Sequence, residues 1–276
     1  CDYQCHGKCV KSKHPKCPSL KFEEKPNYIL QICPEVGLSA QDYRCVQCRN
    51  LITSRNVWGE PRLCDYTGQY FCPACHWNCR MTSPARIIHN WDFEEQLVSQ
   101  QSKHFLTFIN NKPLLTLEEL NPHLFKFVEE LHVVKELRRE LIMMKDYLRT
   151  CRMAQESRLL RRLEVRQHFV DSSHHYSIQD LIDLNQGVLV PFLKKVHQEF
   201  GTHIKETCEA CRGKGFICEL CPSEEVIFPF DALVSVCKMC RASFHEKCFA
   251  SVTVCPRCIR QSSRRLKSQQ EKEGGS

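Results

Sequence analysis

Cys208-x2-Cys211-x6-Cys218-x2-Cys221-x15-Cys237-x2-Cys240-x4-His245-x2-Cys248-x6-Cys255-x2-Cys258 decides how this chain is read: nine cysteines and one histidine within 51 residues. Two thiolates three positions apart can grip one tetrahedral zinc from a tight turn. A disulfide framework needs no such pairs and has no use for the histidine. The pattern therefore points to zinc and to a reducing compartment. The last eight ligands run in the order CC, CC, HC, CC. That order suits an interleaved two-zinc module in which the first pair joins the third and the second joins the fourth. Cys218, Cys221, His245 and Cys248 are expected at one zinc, and Cys237, Cys240, Cys255 and Cys258 at the other. Cys208 and Cys211 are left over. They could complete a site with ligands from the amino-terminal part of the chain, or pair locally with Cys218 and Cys221, and the spacing does not choose.

Outward from this stretch, cysteines gather again near the other end. Cys45-x2-Cys48 and Cys72-x2-Cys75 make the simplest four-ligand set. Cys33, Cys64 and His76, with Cys79 as the weakest candidate, could supply a second. Residues 1–17 carry Cys1-x4-His6-x2-Cys9-x7-Cys17, which resembles the last third of a phorbol-ester/diacylglycerol-type zinc finger. Those four residues are expected to be metal ligands. The family's earlier ligands are not in this sequence, so a longer parent protein is expected, with a self-contained single site as the alternative. Cys5 reads as unligated.

The 132 residues between Cys75 and Cys208 hold only Cys79 and Cys151. They read as a helical middle. Asn121-Pro122 looks like an N-cap followed by a proline at the first helical position, with Leu120 and Phe125 as a hydrophobic staple. An apolar stripe then recurs at helical spacing through Leu124, Phe127, Leu131, Val134, Leu137, Leu141, Met144, Leu148 and Cys151. Glu129, Glu130, Lys135, Arg138, Arg139, Glu140 and Lys145 fall on the opposite face. The stripe reads as bundle core, and Cys151 on it as a small buried residue rather than a ligand. Ser177-Ile-Gln-Asp180 is a capping-type start for another helix, and an amphipathic segment runs from about Val190 to Ile204. Tyr28 to Ile32 and Val226 to Asp231 look strand-like.

The whole is expected to be an α+β, zinc-stabilised chain, its helical middle flanked by small zinc-binding modules. The last of these is a RING/FYVE/PHD-like interleaved two-zinc module. The boundaries are 1–17 for the finger remnant, 18–32 for a linker and 33–262 for the main domain. That domain divides into 33–93 (zinc module), 94–206 (helical region) and 207–262 (zinc module), and 263–276 form a flexible tail. With 276 residues, 39 Lys+Arg and 32 Asp+Glu, the formal net charge is +7, well short of a dedicated nucleic-acid binder. No apolar run approaches the roughly 20 residues that cross a bilayer. The basic tail suggests at most a weak attraction to acidic membrane surfaces or RNA.

A catalytic zinc keeps a ligand position open, whereas here ligands are abundant, and no His-Glu-x-x-His helix or deaminase signature is present. No catalytic or cofactor-binding residue other than metal ligands is expected. A RING-type ubiquitin ligase is the runner-up. The six residues between Cys248 and Cys255 are few for the histidine-bearing variants, and Thr253-Val254 stands where PHD modules place an aromatic. A phosphoinositide- or diacylglycerol-responsive module is a third reading. Arg241-Ala-Ser-Phe-His245-Glu-Lys-Cys248 lacks the basic, histidine-rich character that FYVE-type readers need.

Four segments carry a more specific likeness. They are Cys64-Asp-Tyr-Thr-Gly-Gln-Tyr-Phe-Cys72-Pro-Ala-Cys75-His76, Pro84-Ala-Arg-Ile-Ile-His-Asn-Trp-Asp-Phe93, Lys214-Gly-Phe-Ile-Cys-Glu-Leu-Cys221 and Ile227-Phe-Pro-Phe230. Together they resemble the Rubicon-homology domain over about residues 30–262. The resemblance implies a non-enzymatic adaptor, cytoplasmic and peripheral on late endosomes and lysosomes. It implies a late-endosomal Rab GTPase of the Rab seven type and pleckstrin-homology family M adaptors as partners, and roles in lysosome positioning and ruffled-border formation. No nucleic acid is implied.

Overall fold

The computed structural model describes residues 28–52 and 60–273. Cys1, His6, Cys9 and Cys17, the finger remnant they define, residues 18–27 of the linker and the last three residues of the tail lie outside it. The fold is α+β. Helices alternate with five two-stranded antiparallel sheets among the described residues. The chain forms two compact units. One holds the described chain up to His132 together with His174–Leu189; the other holds Val133–Ser173 and the chain from Val190 onward.

In the first unit, β1 (Arg62–Cys64) and β2 (Gln69–Phe71) form a hairpin. Its turn depends on Gly68, which sits at φ +66°. A Cβ there would come within 2.2 Å of the Pro34 carbonyl oxygen and 3.1 Å of the Cys33 Cβ. Gly68→Ala is therefore expected to destabilise this unit by at least about 2 kcal/mol, from the left-handed backbone and the collision together. Urea unfolding of the zinc-loaded chain measures it, and an unchanged midpoint would contradict this account of the turn. β3 (Cys79–Thr82) pairs with β4 (Glu95–Val98) across α1 (Pro84–Asn90), and α2 (Gln100–Ile109) follows. Ser99 caps α2, its hydroxyl accepting the Ser102 N–H. β5 (Leu115–Thr116) pairs with β6 (His175–Tyr176), which leads into α4 (Ile178–Asn185). The expected capping box is present: Ser177 Oγ accepts the Asp180 N–H, and the Asp180 carboxylate accepts the Ser177 N–H at 2.8 Å. Tyr28–Ile32, expected as a strand, joins no ladder. The Ile29 N–H goes to the Tyr66 hydroxyl instead.

The long helix begins later than its sequence pattern suggests. Asn121 closes a short helical segment, Leu117–Leu120, its N–H bonding the Leu117 carbonyl and its side-chain amide donating to Ile88. A single turn, Leu124–Phe127, follows, and Val128 is extended. α3 then runs from Glu129 to Arg149. Phe127, counted in the apolar stripe, is accordingly 82% exposed, whereas Val134, Leu141, Met144 and Leu148 are buried.

In the second unit α3 packs with α5 (Leu189–Thr202) and with the turns Leu159–Phe169, which kink at Leu163 and Arg166. Phe228 and Phe230 stack on each other and meet Tyr147 edge-on at 5.8 and 5.9 Å. Of the apolar segment 226–231, only β8 (Val226–Ile227) pairs as a strand, with β7 (Phe216–Ile217). β9 (Val234–Val236) and β10 (Ser243–His245) form the last hairpin, and α6 (Pro256–Glu273) ends the described chain. Among the described residues no helix is long and apolar enough to cross a membrane.

Candidate metal centres

Four groups of cysteine and histidine ligand atoms converge, each within 4.8 Å of one another: Cys45/Cys48/Cys72/Cys75, Cys151/His203/Cys208/Cys211, Cys218/Cys221/His245/Cys248 and Cys237/Cys240/Cys255/Cys258. The first lies in the first unit and the other three in the second.

Five of the turns that carry them share one local geometry. The Arg49 N–H bonds the Cys45 carbonyl and the Cys45 N–H bonds the Asn50 carbonyl. The Arg241 N–H and the Cys237 N–H repeat both bonds to Cys237 and Ala242. Arg49 and Arg241 sit at φ 64° and 57°, a region that costs a residue with a Cβ about 1–2 kcal/mol. His76 N–H to Cys72, Arg212 N–H to Cys208 and Ile259 N–H to Cys255 close three more turns in the same four-residue way, whereas Cys218–Cys221 is followed by Pro222, which has no N–H to donate. The hairpin explains the interleaving. Cys237 and Cys240 sit at its tip, next to the end of β9, while His245 ends β10 at its base, opposite Val234. Three residues of strand, roughly 10 Å, separate the two groups.

The spacings suit a tetrahedral ion. Thiolates at about 2.3 Å and imidazole at about 2.0 Å from zinc place neighbouring ligand atoms about 3.5–3.8 Å apart. Sulfur–sulfur separations of 3.6 Å (Cys48–Cys72, Cys151–Cys208, Cys240–Cys255) and 3.7 Å (Cys237–Cys258) fall on this value. His203 Nε2 stands 3.4 Å from Cys151 and 3.7 Å from Cys211, and His245 Nδ1 3.3 Å from Cys221 and 4.0 Å from Cys248. None is near the roughly 2.05 Å of a disulfide.

The thiols are polarised as ligands of a cation require. Cys45 and Cys218 lie at about 7: burial pushes them up, but backbone N–H groups aimed at each sulfur outweigh it. Cys237 also lies at about 7, led by the Cys240 N–H. Their companions go the other way. Removal from water, reinforced by the neighbouring sulfurs, raises Cys211 and Cys258 to about 12 and Cys248 to about 11, and raises Cys75. Three or four sulfurs this close cannot all ionise without a cation among them. Burial lowers the pKa of His203, favouring the neutral imidazole that binds metal.

The structure thus brings Cys45/Cys48 together with Cys72/Cys75, and the two interleaved carboxy-terminal sets, as their spacing suggested. Cys208 and Cys211 take neither of the two arrangements left open for them. Their companions are Cys151 and His203, all four buried. Cys151 follows the end of α3 and is no mere space-filler. His203 opens a π-helical turn, His203–Thr207, that continues α5 and ends at Cys208. His203 carried a faint signal, a histidine five positions before a C-x2-C pair.

Cys33, Cys64 and His76 join no such group among the described residues. The buried Cys64 sulfur accepts the Ser99 N–H at 3.3 Å and faces Ser102 Oγ at 3.3 Å. Burial pushes its pKa up, but these hydrogen bonds prevail and lower it. His76 Nδ1 accepts the Asn78 N–H at 3.1 Å, and Cys79 Sγ donates to Gln100 at 3.5 Å.

Residues 62–263 match the Rubicon Homology Domain, and the chain belongs to that family. Over 268 residues it is 43% identical to "Differentially expressed in FDCP 8 homolog" of Drosophila melanogaster, covering 96% of this chain and 54% of that protein. The Caenorhabditis elegans protein of the same name is 39% identical over 291 residues, covering 99% of this chain and 59% of the relative. "Pleckstrin homology domain-containing family M member 3" of Homo sapiens is 39% identical over 227 residues, or 82% of this chain and 29% of that protein. The chain spans about half the length of the first two relatives.

Proposed function

We propose that this chain is a zinc-stapled, non-enzymatic adaptor module of the endolysosomal system, peripheral on late endosomes and lysosomes. It binds a late-endosomal Rab GTPase of the Rab seven type, a pleckstrin-homology family M adaptor, or both. In this reading each of the four groups holds one zinc, and the zinc serves the fold. The observation that carries it is closure: each group offers four protein ligands, which leaves no position for a substrate or a reactive water. Likeness to a pleckstrin-homology family M protein supports a role in trafficking. Control of lysosome positioning and of ruffled-border formation would follow from such binding.

Pulldown with GTP-loaded and GDP-loaded GTPase tests the effector role: retention of the GTP form alone is expected, and equal or absent retention in both states overturns it. His245→Ala is expected to lose the zinc of its group, unfold the terminal module and abolish partner binding together. A folded variant with full zinc content would remove His245 from the ligand set. The interleaved hairpin also resembles RING modules, so ubiquitin-chain formation with a panel of conjugating enzymes belongs beside the pulldown, and none is expected.

A further inference from the structure

The tip of the last hairpin carries exposed apolar side chains beside candidate metal ligands. Met239, between the two cysteines of its turn, is 87% exposed, and Val254 and Ile259 are 56% and 52% exposed. Met239 adjoins Cys240, Val254 adjoins Cys255 and Ile259 adjoins Cys258. Those three sulfurs belong to one group within 4.8 Å, so the three apolar residues flank a single metal group. Turns held around a metal are rigid, so these side chains cannot fold back to hide.

Charge surrounds this apolar tip. Between Ala232 and Arg264 the basic residues are Lys238, Arg241, Lys247, Arg257, Arg260 and Arg264, and the only acidic one is Glu246, a balance of +5. Four thiolates around a divalent ion leave a formal charge of −2 at the centre of the tip, so the excess is +3 after the site is neutralised. Arg260 spends part of its charge on Glu219 at 2.7 Å, but Lys238 and Arg241 are exposed on either side of Met239. The combination of an aliphatic tip and a basic collar separates ligand classes. Single-stranded nucleic acid is gripped by stacking on aromatic rings, and this tip presents none. An acidic peptide without apolar residues would satisfy the collar and leave the aliphatic side chains wet. A bilayer with anionic headgroups satisfies both, since apolar side chains enter the acyl boundary while lysine and arginine stay at the phosphate level.

We infer that the tip formed by Met239, Val254 and Ile259, collared by Lys238 and Arg241, docks on the surface of an anionic lipid bilayer. This goes beyond the adaptor reading and does not depend on it: GTPase binding and vesicle binding can fail separately. The test is flotation of the zinc-loaded full chain with vesicles of phosphatidylcholine alone or mixed with phosphatidylserine. Binding to the mixed vesicles only, weakened by added salt, is expected. Met239→Asp should weaken it by about tenfold or more, the loss of one inserted apolar side chain. Lys238→Glu should weaken it by at least about fivefold. Ile259→Ser is the second apolar variant, and zinc content of each variant reports that the tip is intact. Equal binding to neutral and mixed vesicles overturns the inference, as does a zinc-replete Met239→Asp or Ile259→Ser that floats like the parent. So does an RNA oligonucleotide or an acidic peptide that binds the tip when vesicles do not.

Discussion

His203→Ala is expected to remove one zinc per chain and to melt the second unit at the junction where its helices meet the terminal module. The imidazole is one of four candidate ligands in a group whose other members come from two places: the end of α3 through Cys151, and the short turn Cys208–Cys211 that follows α5. A structural zinc contributes on the order of 10 kcal/mol to folding, because the unfolded chain holds no formed site. A three-ligand remnant with water in the fourth place would bind far more weakly and would leave Cys151, Cys208 and Cys211 to repel one another. Cys151→Ser is the complementary variant. It keeps the shape of the side chain and removes the ligand, so the same loss of one zinc is expected from it. Cys64→Ser provides the contrast: its sulfur is held by Ser99 and Ser102, so zinc content should stay at the parental value. Elemental analysis of the three purified variants separates these outcomes. Full zinc content in His203→Ala, or loss of zinc in Cys64→Ser, would show that the ligands are grouped differently.

What could be read from the sequence follows from how local each feature is. A C-x2-C pair closes its own turn with its own backbone hydrogen bonds, so spacing alone reveals it. The interleaving of the terminal pairs follows from one short hairpin, again a local element. Cys151 and His203 are single ligands, 52 positions apart, delivered by the ends of two helices. Only the five-residue step from His203 to a C-x2-C pair hints at either one, and an apolar stripe running into Cys151 argues actively for a core role. The two leftover cysteines, Cys208 and Cys211, were the visible sign that ligands were missing. The long helix failed in another way. Its period was right, but Asn121 serves the preceding segment and Ile88 rather than capping a new helix, and Val128 interrupts the stripe. Two residues placed on its solvent face, Arg138 and Lys145, are turned inward by a segment that sequence periodicity cannot see.

That segment underlies the second large effect. Arg138→Ala is expected to destabilise the second unit by about 3–5 kcal/mol. Arg138 is the largest side chain in the protein with no exposure at all. Its guanidinium donates to the Ser172 carbonyl and lies 4.1 Å above the ring of Phe169, itself fully buried. One turn-pair further along α3, Lys145 Nζ reaches the Asp171 carboxylate at 2.5 Å and the Val170 carbonyl at 3.4 Å. Positions 138 and 145 are seven apart and so share a face, and together they hold residues 169–172 against the helix. The kinked turns before them have irregular backbone and few ladder bonds of their own, so a buried donor from α3 replaces what regular structure would supply. Truncating Arg138 deprives the part-buried Ser172 carbonyl of its charged donor, removes the cation over Phe169 and opens a cavity, and all three act in the same direction. Lys145→Ala removes a pair that is half in water, with side chains 24% and 50% exposed, and should cost no more than about 1 kcal/mol. Urea unfolding of both variants at full zinc loading decides the matter. If the two lose similar stability, the buried guanidinium is not what anchors this segment, and hydrophobic packing of Phe169 alone suffices. If Arg138→Ala loses several times more, the helix face read as solvated is one of the main seams of the second unit.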